Sequence, residues 1–168
     1  ARMSDAVEQL ALVSRPARSL EPGKYRAYLP PSALHEVAEM LAWGGFSARA
    51  LATQQSPLAK MRANARLDPR VIISEDIATG VAPAFQAEGF PRPGNVPLIA
   101  DGALVGSLVS PRTAREFDLE TNGANPGESP EALAMKGGEL AARDALSALD
   151  TGLAVGNPRY LNYSDRPA

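Results

Sequence analysis

Residues 96–110, "VPLIADGALVGSLVS", constrain the fold most strongly. Two apolar, β-branched runs are separated by Asp101-Gly102, a pair suited to the positive φ angles of a tight two-residue turn, so the segment predicts an antiparallel hairpin. Upstream, "VIISED" at residues 71–76 supplies a further β-branched run of strand length. Residues 79–95, "TGVAPAFQAEGFPRPGN", lie between these strands, and residues 120–132, "ETNGANPGESPEA", follow them. Both are too rich in Gly, Pro and Asn for regular structure, so each is expected to be a crossing loop or a binding loop.

Short helices are expected around this β unit. Ser4 is placed to cap a helix over residues 5–13, with Asp5 and Glu8 near its positive end and Val7, Leu10 and Ala11 on an apolar stripe. Tyr25, Ala27 and Leu29 alternate as in a half-buried strand that Pro30 and Pro31 terminate. Ser32 then starts a helix with Leu34, Val37, Ala38 and Leu41 facing the core, stopped by "WGG" at residues 43–45. "SARALA", "SPLAKM" and "SPRTAREF" predict three more helical pieces, with Ser56 and Ser110 as caps before Pro57 and Pro111. Residues 138–152 predict an amphipathic helix with Leu140, Leu146 and Leu149 along one side. "LAVGN" and "RYLNYSD" are expected to be short extended segments. The sum is an α+β fold: a mostly antiparallel sheet, short flanking helices and long loops, in a single domain or fragment spanning 1–168, with 1–30 as a possible connecting segment.

Composition narrows the function classes. A chain of 168 residues, 45% hydrophobic and 21% charged, has the balance of a soluble globular protein. A net charge of -2 with scattered arginines gives no footprint for direct nucleic-acid binding. No apolar run approaches the roughly 20 residues a membrane span requires, and no signal segment is visible, so a cytoplasmic location is expected. The absence of cysteine excludes disulfides and thiolate ligands.

The single histidine, His35, heads "HEVAE". His35 and Glu39 share a helix face and could touch one metal ion, with Glu36 as general base by analogy with HExxH helices. The competing expectation is the solvated side of a helix. Mixed carboxylate ligation is rarer than His or Cys ligation, and no second ligand cluster lies nearby in sequence. Asp76, Glu88, Glu116, Glu128 and Asp165 are further candidate acids or bases that sequence does not pair. No phosphate-binding loop or nucleophile elbow is present.

Residues 85–117, then "TNGANPGESPEAL", "DTGLAVGN" and "YLNYSD", taken in this order, resemble the TldD/PmbA family, and most closely its PmbA-like (TldE-like) members. The family is long labelled as modulators of DNA gyrase and understood as a peptidase system. The resemblance runs from about residue 33 to 166. It implies the first part of a β-rich C-terminal domain, with the natural chain continuing beyond "YLNYSDR". It also implies a homodimer or pairing with a TldD-like partner subunit, and a peptide substrate held as an extended strand. In TldD-type relatives an HExxxH helix binds zinc. The family's first His and Glu fall on His35 and Glu36, and its second His on Met40, a poor zinc ligand. The expectation is therefore a subunit or fragment without a metal of its own, inactive alone as a hydrolase, that shapes a peptide chamber. The alternative is a non-enzymatic interaction module. Phe85, Glu88, Thr121, Asn122, Asn125 and Glu128, in the two long loops, are the candidate peptide- or partner-binding residues.

Overall fold

The computed structural model describes residues 2–156 together with Pro158 and Leu161. The hairpin forms as expected: β3 (Asn95–Ala100) pairs antiparallel with β4 (Ala103–Leu104). Asp101 and Gly102 have φ of 48° and 71°, the left-handed pair that matches strand twist. A Cβ on Gly102 would lie 2.3 Å from the Leu67 carbonyl, so position 102 also needs glycine for space. β2 (Ile73–Asp76) joins the other side of β3, and β5 (Leu133–Met135) joins β2, giving the antiparallel order β4-β3-β2-β5.

The β2–β3 register shifts between Ile73, paired with Ile99, and Ser74, paired with Pro97, which leaves Leu98 extra. Such a bulge breaks strict alternation. Its consequence is that the consecutive residues Leu98 and Ile99 are both fully buried. They centre a core with Phe46, Leu58, Ile73, Leu108 and Ala124.

The helices are α1 (Arg2–Val13), α2 (Pro31–Ala42), α3 (Ala48–Ala52), α4 (Ala59–Arg62), α5 (Pro111–Phe117) and α6 (Ala145–Leu149). Ser47 and Ser110 cap α3 and α5 by accepting from the amides of Ala50 and Thr113. Ser56 accepts from Leu58 N and donates to the Gly45 carbonyl, fixing the turn into α4, which starts two residues after Pro57.

Several expectations require correction. α1 begins at Arg2, so Ser4 lies inside it, and the Val7 and Leu10 stripe is exposed. The strand near residue 27 shrinks to β1 (Ala27–Tyr28), which pairs parallel with β6 (Leu153–Ala154). α2 starts at Pro31 with Pro30 at its N-cap, and Leu34 is exposed while Ala33 is buried. The single helix expected over 138–152 is instead a 3-10 turn (Ala142–Asp144) and α6. Ala141 is extended, which leaves Leu140 outside any helix; Leu140 and Leu146 are both exposed. Of "RYLNYSD", only Leu161 falls within the described residues.

Candidate functional site

The 120–132 segment has little regular structure but is firmly fastened. Thr121 Oγ1 donates to the Val109 carbonyl. Asn122 accepts from Val109 N through Oδ1 and donates to the Ser107 carbonyl through Nδ2, so one amide side chain substitutes for a neighbouring strand. Gly123 has φ of 67°, and a Cβ there would lie 2.1 Å from the Pro91 carbonyl; this seats the 79–95 loop directly on the segment.

Glu128 is 2% exposed and has φ of 52°. Its Oε2 accepts from the Ser47 hydroxyl at 2.6 Å and Arg49 N at 3.0 Å, and its Oε1 accepts from Ser110 N at 2.9 Å. A single carboxylate thus holds the N-termini of both α3 and α5. Burial pulls its pKa up. The hydroxyls of Ser47 and Thr113 and the amides of Arg49 and Ser110 outweigh that effect and hold it below the usual glutamate value.

Beyond Glu128, Asn125 Nδ2 donates to the Ser129 carbonyl and to Glu131 Oε1. Glu131 meets the Arg92 guanidinium at 2.7 and 2.8 Å, and the Arg92 side chain is 6% exposed. Hydrogen bonding from Arg92 is the main cause of a lowered Glu131 pKa. Buried Glu75 on β2 accepts from the amides of Glu131 and Ala132. Ser47, Glu75, Arg92 and Glu131 were not among the sequence candidates. The one sequence signal of Glu75, Arg92 and Glu131 is charge inside otherwise apolar or Pro-rich runs, and Ser47 has none.

Thr121, Asn122, Asn125 and Glu128 therefore spend their polar atoms inside the protein. Phe85 and Glu88 are different. Their loop folds back through an antiparallel bridge between Phe85 and Pro91, and both side chains are exposed. Glu88, Phe90, Arg112, Arg115, Leu119 and Thr121 line an open groove of about 940 Å³ along α5. Glu88 and Thr121 meet there, as does Glu116. Asn122 and Thr121 border the adjoining depression beside Phe90. Phe85 lines neither. Asp76 closes a turn by accepting from the Thr79 hydroxyl and amide, which hold its carboxyl below the usual range. Asp165 lies outside the described residues.

On α2, His35 Nε2 faces Glu39 Oε1 at 3.3 Å, with side chains 70% and 62% exposed. Zinc needs a converging set of at least three protein ligands. Among the described residues no group of three or more His, Cys, Asp or Glu is placed to hold a metal ion. Met40 is the next residue on α2. His35, Glu36 and Glu39 do not fit a zinc site.

Over residues 22–167 the sequence matches the PmbA/TldA metallopeptidase C-terminal domain. The chain belongs to this family. Among solved structures, a candidate modulator of DNA gyrase from Thermotoga maritima superposes with TM-score 0.70 at 25% identity, over 84% of this chain and 34% of the other. One of the same description from Bacteroides thetaiotaomicron gives 0.68 at 18% identity, over 86% and 32%. TldE from Thermococcus kodakarensis gives 0.59 at 17%, over 74% and 31%. The PmbA/TldD domain described here thus spans about a third of the length of these relatives. No curated protein matches the sequence. Among the described residues, no helix is long and apolar enough to cross a membrane.

Proposed function

We propose that this chain is a zinc-free portion of a TldD/PmbA-type proteolytic assembly that shapes the walls of a peptide chamber in the cytoplasm. It would work as a homodimer or beside a TldD-like partner subunit that carries the metal. Family membership supports the peptidase context. The observation that carries the zinc-free role is that His35 spends its reach on Glu39 at an exposed helix surface, with no third ligand converging among the described residues. An antiparallel sheet supports holding an extended peptide, because backbone pairing at a sheet edge supplies affinity and neighbouring pockets supply selectivity.

The full-length protein tests this. With its natural partner it is expected to cleave unstructured peptides, and alone it is expected neither to cleave them nor to retain stoichiometric zinc. Cleavage by the isolated protein, abolished by His35→Ala together with loss of zinc, would overturn the zinc-free role. A second role, as an interaction module without proteolysis, is favoured by the same missing ligands. Absence of cleavage in every combination would select it.

A further inference from the structure

Asn122–Gly123 is the one place in the sequence where asparagine precedes glycine. That order makes an asparagine chemically labile, because the main-chain nitrogen of the next residue can attack the side-chain amide carbon, and glycine leaves that nitrogen unhindered. Asn64, Asn95 and Asn162 precede Ala65, Val96 and Tyr163, whose side chains crowd the nitrogen. Asn125 and Asn157 precede prolines, which have no N–H to give up.

The fold engages both reacting groups of this pair. The Asn122 amide is tied at each end, with Oδ1 accepting from Val109 N and Nδ2 donating to the Ser107 carbonyl, both at 2.8 Å. The Gly123 N–H donates to Thr121 Oγ1 at 3.1 Å, and that hydroxyl donates in turn to the Val109 carbonyl at 2.8 Å. Gly123 itself is buried, with its backbone seated on Pro91. Attack requires the amide carbon to swing toward the Gly123 nitrogen, so the side chain's bonds to Val109 and Ser107 and the nitrogen's bond to Thr121 must break first. All three lie within the protein and belong to the fastening of residues 120–132.

We propose that Asn122–Gly123 is a conformationally guarded deamidation site, dormant while residues 120–132 are fastened and converted to aspartate and isoaspartate once they are released. It operates whether or not the chain serves in proteolysis. The freed Gly123 nitrogen loses its proton to hydroxide and bonds to Asn122 Cγ, the Cγ–Nδ2 bond breaks, and ammonia departs with a proton from water. Water then opens the five-membered imide at either carbonyl. One opening leaves aspartate, and the other routes the main chain through Cγ as isoaspartate. Aspartate puts an acceptor oxygen where Nδ2 donated to the Ser107 carbonyl, and isoaspartate lengthens the main chain by a methylene. Neither product refastens the loop as Asn122 does, so opening followed by conversion is irreversible.

The test is peptide mapping by mass spectrometry of this chain incubated in mildly alkaline buffer, both folded and in guanidinium chloride. Conversion at Asn122 is expected to run about a hundredfold more slowly in the folded chain, the scale of the hydrogen bonds that must open first. Gly123→Ala should suppress the reaction in denaturant, which identifies the Gly123 nitrogen as the attacking group, and Asn125 should stay intact throughout. Thr121→Val, at an exposed position, frees the Gly123 N–H. It should raise the folded rate about fivefold and leave the rate in denaturant unchanged. Asn122→Asp carries the aspartate product from the start and is expected to lower the unfolding midpoint. Equal rates at Asn122 in the folded and denatured chain overturn the guarding, as does a folded rate that Thr121→Val does not move. A midpoint that Asn122→Asp leaves undisturbed overturns the irreversible release.

Discussion

The 120–132 loop and helix α1 invert the usual relation between regularity and anchorage. The loop has almost no repeating backbone structure, but it is tied to the body through Asn122, Glu128, Glu75 and Arg92, with Glu128 essentially inaccessible. α1 has twelve residues of helix, and Val7, Leu10 and Val13 on it are 63%, 69% and 80% exposed. Backbone hydrogen bonds within a helix satisfy the chain locally without attaching it to anything. A loop must find its partners elsewhere, so its polar side chains become fasteners. Anchorage in this domain follows where polar groups find partners.

The largest expected effect comes from removing the central fastener. Glu128→Ala strands the Ser47 hydroxyl and the amides of Arg49 and Ser110 in a buried site, a loss of about 3 kcal/mol. Urea unfolding measures it, with Glu128→Gln retaining part of the stability because its amide oxygen still accepts. A loss under 1 kcal/mol would mean that the loop is held by its backbone alone. Gly123→Ala should follow at about 2 kcal/mol, since it forces a side chain into the left-handed region and against the Pro91 carbonyl. Its unfolding curve, compared with that of Gly89→Ala, isolates the steric part, because Gly89 also has positive φ but open space around it.

Acid should loosen the same loop before the rest of the domain. Glu128 and Glu131 have folded pKa values below their ordinary ones. Their stabilisation is complete above the ordinary glutamate value of about 4.3 and is lost as pH falls through the lower folded values. Protection of the amides of Arg49 and Ser110 relative to their intrinsic exchange rates, followed from pH 6 downward, is expected to fall over that window in the native protein and not in Glu128→Gln. Identical profiles would show that the carboxylate does not govern the loop's hold on α3 and α5.

Local chemistry made part of this structure legible in the sequence. The Asp101-Gly102 turn and the serine cap at 110 depend on residues within a few positions, and the hydroxyl and positive φ angles sit where those rules require, whereas Ser56 fixes the turn before α4 with Leu58 at the N-cap. Glu128 was visible only as a carboxylate in a polar loop. Its partners stand 79 to 81 residues away on α3 and 18 away at α5, and no local pattern encodes such a meeting. The candidates Thr121, Asn122 and Asn125 share this difficulty, since a side chain that binds a ligand and one that substitutes for a strand have the same composition. Periodicity erred differently. The leucines of residues 138–152 have helical spacing, but Ala141 is extended and the helix forms only after it. Helical spacing in residues 5–13 gave the right backbone for α1 and the wrong burial, because amphipathicity reports which face would be buried and says nothing of what lies opposite.

The smallest effect therefore belongs to α1 and is the sharpest check on the contrast. Leu10→Ser removes an apolar side chain from a stripe that faces solvent. Without buried area to lose, the change should stay within about 0.5 kcal/mol, the range of ordinary surface substitutions and of the helix-propensity difference between leucine and serine. A loss of 2 kcal/mol or more in the isolated chain would mean that α1 packs against a surface in solution. Leu10 would then be a fastener like Glu128, and the distinction between an anchored loop and a helix whose apolar stripe faces solvent would fail. A loss that appears only at high protein concentration would locate that surface on a second molecule, because burial supplied by a partner is the one kind of stability that dilution removes.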